Sequence, residues 1–242
     1  MASLKRPASA GLAHDLGQAT DTDWLVGVDE AGRGALAGPV VAAALAIRSA
    51  HLTHPGVVAL ASLVADSKTL HRDEREAVFA RWEKLREILP GRAADAGVAE
   101  IEHHNILGAT RLAMARAISG LSDLGVPPMP QTDAGELFTP PPAPGERTRI
   151  LVDGRPLRPF AYSHTALVGG DGLSFVIGLA SIIAKVTRDR RMADLHTRFP
   201  DYGFASHMGY GTPTHRRALL AHGPCTCHRS LFLRKILPGP TR

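Results

Sequence analysis

Four carboxylates carry the first sign of chemistry in this chain. Asp29 and Glu30 follow a short apolar run, Asp153 ends a second (Ile150-Leu151-Val152), and Asp171 follows Gly169-Gly170 shortly after a third. Burying several carboxylates together is unfavourable unless a cation neutralises them. Oxygen donors of this kind suit hard ions such as Mg2+ or Mn2+ rather than zinc. Two such ions side by side activate a water and stabilise the leaving oxygen of a phosphodiester. A single aspartate at a strand end is more often a turn former or helix cap. Three acidic sites in the same setting point beyond that, although spacing alone does not bring them together. Neighbouring strand residues face opposite sides of a sheet, so Asp29 and Glu30 share an ion only where the strand bends. The Ala31-Gly32 step is the expected place.

Other residues could serve a phosphate or a sugar. In Gly32-Arg33-Gly34 the glycines let backbone approach a ligand closely, and Arg33 can pair with a phosphate; the bland alternative is a tight hairpin turn with a solvated arginine. The stretch is no Walker A loop, since it lacks the Lys-Ser/Thr ending. It is a poor dinucleotide fingerprint, because a strand pattern rather than a helix follows it. Ser181, Lys185 and Arg188 form one polar stripe on a long helix, opposite Val176, Leu179, Ile183 and Val186. Such a stripe tracks a phosphate backbone or is simply solvated. Lys68 is a similar candidate, and Tyr210 offers a flat face to a sugar or base, or else packs in a core. Cys225-x-Cys227, with His222 and His228 nearby, reads as a zinc knot or as a pair of free thiols; the spacing favours the thiols.

The elements that must position these groups follow from pattern. Residues 24–28 and 38–47 read as apolar strands around a glycine-punctuated turn, and 149–153 and 164–168 as two more. Residues 71–89, 105–124, 173–199 and 214–221 read as helices, and 98–101 as a further short strand. The segment 126–148 is different: residues 126–145 hold seven of the 18 prolines, and it reads as an extended surface insertion. Residues 1–22 read as a flexible lead-in. They lack the apolar core of a signal peptide; an Ala/Ser-rich transit peptide is a weaker reading, opposed by Asp15, Asp21 and Asp23.

Composition sets the outer bounds. The 242 residues are 44% hydrophobic and 21% charged, enough for a buried core and against wholesale disorder. Every apolar run is interrupted before it reaches membrane-spanning length. Two cysteines cannot make a disulfide framework, which favours a reducing compartment, and a cytoplasmic location is expected. The net charge of +5 is compatible with a polyanion partner but does not single one out.

The ordered set of motifs resembles ribonuclease HII. Val28-Asp29-Glu30-Ala31-Gly32-Arg33-Gly34, followed by Leu36-Ala37-Gly38-Pro39-Val40-Val41-Ala42-Ala43, looks like that family's signature. Asp66-Ser67-Lys68, Asn105-Ile106-Leu107, Val152-Asp153-Gly154, Gly170-Asp171, the run from Ala180 to Asp189, Gly209-Tyr210-Gly211-Thr212 and His228-Arg229 follow in the family's order. The resemblance implies an α/β fold: a ribonuclease H-like mixed sheet flanked by helices over residues 23–200, with a small helical C-terminal segment over 201–242. It implies endonucleolytic hydrolysis of RNA in RNA–DNA hybrids and cutting 5′ of single ribonucleotides in duplex DNA, using two Mg2+ or Mn2+ ions; a monomer is expected, though no motif speaks to it. Asp29, Glu30, Asp153 and Asp171 match the family's metal-binding acids. Gly32, Arg33 and Gly34 match its reader of the ribose 2′-hydroxyl, and Tyr210 matches the tyrosine packed on the junction sugar. Lys68, Ser181 and Lys185 are the further substrate-binding candidates.

Three departures stand out. Gly169 occupies a position where the family usually has Lys, Ala35 replaces a usual Pro, and His103-His104 precedes Asn105 where an acid is more typical. The lost lysine motivates a competing reading, a hybrid-binding protein without catalysis.

Overall fold

The computed structural model describes residues 9–64, 70–129, 146–234 and 236. In chain order its main elements are α1 (Ala10–Gln18), β1 (Trp24–Ala31), β2 (Val40–Arg48), α2 (Pro55–Val64), α3 (Arg72–Glu83), β3 (Gly91–Ala96) and α4 (Val98–Ser119). Then follow β4 (Thr148–Asp153), β5 (Thr165–Leu167), α5 (Gly170–Leu173), α6 (Phe175–Arg198), α7 (Phe204–His207), α8 (Pro213–His222) and α9 (Ser230–Leu233). The strands form one mixed sheet in the order β3-β2-β1-β4-β5. β1 pairs antiparallel with β2 and parallel with β4, β3 pairs antiparallel with β2, and β5 parallel with β4. This is the expected α/β architecture.

β1 is central, and its alternation divides the core. Leu25 packs with α6, α1 and α2 on one face, while Val26 and Val28 pack with α4 on the other. Gly27 explains how closely α6 lies on the sheet. A Cβ there would stand 2.3 Å from the backbone carbon of Val176, so a side chain at this position would drive the helix away. A third cluster, with Phe204, Met192 and Leu219, joins the end of α6 to the C-terminal helices.

Several expectations need correction. The lead-in is helical over Ala10–Gln18: Ser9 caps it by accepting from the Leu12 N–H, and Leu12 and Asp15 are buried. Residues 98–101 open α4 rather than forming a strand, with Gly97 bonding back to Glu100. Their expected strand role falls to β3, which lacks β-branched residues and is held by its pairing with β2. The helix expected over 71–89 stops at Glu83, and α2 had no expectation at all. Most of the proline-rich segment, 130–145, lies outside the described residues, but Val126 and Met129 at its start are buried in the core. Among the described residues no helix is long and apolar enough to cross a membrane.

Candidate active site

The parallel pairing of β1 with β4 is what brings the acids together. It runs to Val28 opposite Val152, which leaves Asp29 and Asp153 one step further on along neighbouring strands. β5 sets the third site: Leu167 pairs with Asp153, and the chain then turns into α5, which carries Asp171. The Asp153 Oδ1 lies 3.3 Å from where a Cβ on Gly170 would stand, so its carboxylate abuts the start of that helix.

Asp29 is 6% exposed, and its Oδ1 accepts the Glu30 N–H at 2.7 Å. Burial holds its pKa well above the usual carboxylate range; the charges of Glu30 and Asp153 push the same way, and a hydrogen bond with Ser181 opposes them. Burial likewise raises Glu30, against the hydrogen bond and charge of Arg33, and Asp153 adds to the rise. The Arg33–Glu30 ion pair spans 2.9 Å, with the arginine side chain half exposed. Asp153 Oδ1 is buried and has no hydrogen-bond partner among the described residues. An unpaired carboxylate oxygen beside two raised carboxyls is an all-oxygen, electron-rich donor set, and it fits a hard divalent cation.

β1 runs on through Asp29 and Glu30 to Ala31, and the chain turns at the expected Ala31-Gly32 step, where Gly32 has φ +94°. Glu30 lines the same cleft as Asp171 and Ser181, a cavity of about 280 Å³ whose wall also carries Arg75, Lys185 and Tyr210. Glu30 lies beyond the point where β4 stops pairing. Lys185 is ion-paired with Asp189 on the next turn of α6, and burial lowers its pKa. Tyr210 is 38% exposed.

The Gly32–Gly38 loop rests on two buried arginines. Arg188 donates to the carbonyls of Pro39, Met208 and Ala37. Its Nε would lie 1.9 Å from a Cβ on Gly32, so any side chain there would collide with it. Arg229 donates to the carbonyls of Gly38, Arg33 and Ala35, and burial lowers its pKa to about 9. Arg188 therefore does not belong to a phosphate-tracking stripe. It is fully buried, and its cation lies 5.3 Å from the Tyr210 ring centroid.

Lys68 lies outside the described residues. Arg75 was missed because it sits in a helix so rich in charge that no single cation stands out. The supporting role of Arg229 was missed because its partners are backbone carbonyls nearly 200 positions away in sequence. At Asn105 the signal was present. The residue has φ 55° and caps the following helix by accepting from Leu107 and Gly108, as an asparagine before an apolar periodic run would.

Comparison with known proteins gives the family and the fold. The family profile described as Ribonuclease HII matches residues 26–235. A Ribonuclease HII of Paracidovorax citrulli is 45% identical over 209 residues, covering 86% of this chain and 73% of that protein. The crystal structure of ribonuclease H2 from Pyrococcus horikoshii superposes with a TM-score of 0.62 at 24% identity, covering 88% of this chain and 96% of the other. The structure of Bst-RNase HIII in complex with Mn2+ gives a TM-score of 0.60 at 19% identity over 95% of this chain and 72% of the other. At these identities the two structures speak for the fold alone.

Proposed function

Because the chain belongs to the ribonuclease HII family, and as a ribonuclease H hydrolyses RNA in RNA–DNA hybrids, we propose that its cleft also cuts 5′ of single ribonucleotides embedded in duplex DNA. The observation that supports metal-dependent cleavage in this cleft is the Asp153 oxygen, buried and unpaired beside the raised carboxyls of Asp29 and Glu30. Asp29, Glu30, Asp153 and Asp171 would hold two Mg2+ or Mn2+ ions. When bound, the ions supply water activation and charge neutralisation at the cleaved phosphate.

The chain's own residues choose the bond. Backbone at Gly32-Arg33-Gly34 comes close to the ribose, whose 2′-hydroxyl both donates and accepts and so distinguishes RNA from DNA. Arg33 is half exposed and exchanges Glu30 for a phosphate when substrate arrives. Lys185 and Arg75 on the cleft wall face the strand's phosphates, and Tyr210 presents its ring to the junction sugar. Ser181 keeps the Asp29 carboxylate oriented. The products are 3′-hydroxyl and 5′-phosphate ends.

The test is cleavage of a labelled DNA duplex carrying one ribonucleotide, with Mg2+, Mn2+ or EDTA, mapped at nucleotide resolution. A metal-dependent cut on the 5′ side of the ribonucleotide is expected. Cutting only long hybrids would overturn the roles given to Gly32-Arg33-Gly34 and Tyr210. Salt-sensitive binding with no turnover would favour the non-catalytic binder and direct attention to Gly169.

A further inference from the structure

Away from the acidic cleft, the turn before α9 brings two thiols together. Cys225 Sγ lies 2.9 Å from Cys227 Sγ and 3.1 Å from His228 Nδ1. Cys225 is half-buried and Cys227 nearly fully buried. Cys227 lines a cavity of about 550 Å³ beside Gly38, Pro39 and Thr226, within the size range of small-molecule sites.

The three side chains lie close enough to invite a metal, but two features oppose one. Two thiolates on a common tetrahedral ion, with bonds of about 2.3 Å, stand roughly 3.8 Å apart; these sulfurs are far closer. The histidine's free lone pair is also taken. His215 Nδ1 faces the Tyr210 carbonyl and so carries its proton, and its Nε2 accepts from His228 Nε2 at 3.0 Å. That leaves His228 Nδ1 as an acceptor, which the Cys225 N–H uses at 3.0 Å. Burial lowers His228 to about 4, consistent with a neutral ring throughout this chain of bonds.

We propose that Cys225 and Cys227 form a redox-active dithiol, oxidised to an intrachain disulfide by small-molecule disulfides, and that its state adjusts the Gly32–Gly38 loop. The more exposed Cys225 loses its proton to solvent, attacks the small disulfide and expels one thiolate, leaving a mixed disulfide. Burial pushes the Cys227 thiol up, so the small thiolate released in the first step takes its proton; the Cys227 sulfur then attacks the Cys225 sulfur and expels the second small thiolate, which is protonated by solvent. Two protein thiols are oxidised and one small disulfide is reduced to two thiols.

The link to the loop is short. The Cys227 carbonyl accepts the Gly38 N–H at 2.8 Å, His228 forms a β-bridge with Ala37, and Arg229 holds the carbonyls of Arg33 and Ala35. Drawing the two sulfurs to bonding distance moves the backbone on which the loop leans. The thiol chemistry stands by itself; its effect on cleavage rests on the loop role proposed above.

Full-length protein equilibrated in buffers of reduced and oxidised glutathione tests both parts. Intact mass should fall by two hydrogens, with the linkage mapped to Cys225 and Cys227, and hybrid cleavage should slow by roughly threefold to thirtyfold and recover on reduction. Cys225→Ser and Cys227→Ser should each retain the reduced protein's cleavage rate and abolish its response to oxidised glutathione. Two thiols that stay titratable, a lasting mixed disulfide, or zinc bound in place of oxidation would overturn the site. A disulfide without change in rate would overturn the coupling. A reduced enzyme that cuts long hybrids but not single ribonucleotides would instead count against the loop role, whatever the thiols do.

Discussion

Two buried aspartates face the same long helix in different surroundings. Asp15, on α1, is fully buried; its Oδ2 accepts the Val176 N–H at 2.9 Å at the start of α6, and His14 lies 3.1 Å from its Oδ1. Asp29, on β1, meets the same helix about one and a half turns on, at Ser181. Burial raises the pKa of both. The neighbours differ. Every other contributor at Asp15 favours the charged form, whereas Glu30 and Asp153 at Asp29 disfavour it. Burial alone therefore does not mark a functional acid. Like-charged neighbours that add to the rise burial causes, as Glu30 and Asp153 do at Asp29, are what make it a candidate.

The sharpest way to break this comparison is to exchange activity for stability at each position. Asp29→Asn keeps the shape and removes a charge from the repelling set. Cleavage should fall roughly a thousandfold or more, the loss of several kcal/mol of barrier lowering, while hybrid binding and thermal unfolding stay near those of the unaltered protein. Single-turnover kinetics beside circular dichroism reads both. An Asp29→Asn protein that cuts normally would make Asp29 a second Asp15.

A smaller effect is expected from divalent cations on the fold itself. A ligand at a hundred times its dissociation constant stabilises by about 2.7 kcal/mol, and a domain of this size gains about 2–4 °C in Tm per kcal/mol. Mn2+ should therefore raise Tm measurably, and the rise should shrink in Asp29→Asn and persist in Asp15→Asn. Calorimetry with and without EDTA checks it. Equal shifts in all three proteins would mean that the ions bind elsewhere.

Asp15→Ala should show the reverse of Asp29→Asn. It leaves the Val176 N–H without its acceptor at a buried helix start, at about 1–3 kcal/mol. Tm should drop, while the cleavage rate per folded molecule stays the same.

The sequence showed one of these aspartates and not the other, for a physical reason. Asp29 sits in a dense local motif beside Glu30 and Gly32-Arg33-Gly34, so its chemistry is legible from neighbours in the chain. Asp15 depends on Val176, 161 positions away, and looked like one more polar residue in a weak N-terminal pattern. The same distinction runs through the fold. Strands with alternating or continuous apolar residues, such as β1 and β2, were legible, and so was the α/β class. β3 was not, because Gly91-Arg92-Ala93-Ala94-Asp95-Ala96 owes its form to β2. Within the cleft, the order of the acids was legible but their meeting was not, since that depends on the register of β1 with β4. Arg188 misled for a related reason. Its helical spacing from Ser181 and Lys185 is real, but spacing does not reveal that the loop closes over it.

The smallest expected effect tests whether Asp15 is held by burial or by its histidine. Burial is the leading cause of its raised pKa, with the Val176 N–H, Ser174 and His14 all pulling the other way. A carboxyl raised on folding contributes stability that is fully present below its unfolded pKa and is lost as pH rises through the folded value. Asp15→Asn cannot titrate at that position. The stability of the unaltered protein relative to this variant should therefore be highest near pH 4 and decline toward neutrality, as paired Tm measurements would read. His14 is the titratable group beside it, so the comparison is repeated with His14→Gln in both proteins. There the decline should keep its sign and steepen, because the histidine that favoured the ionised carboxylate is gone while the burial that opposes it remains. A reversed slope would mean that Asp15 is held charged by its partners. Its difference from Asp29 would then lie in pairing rather than in the absence of like-charged neighbours.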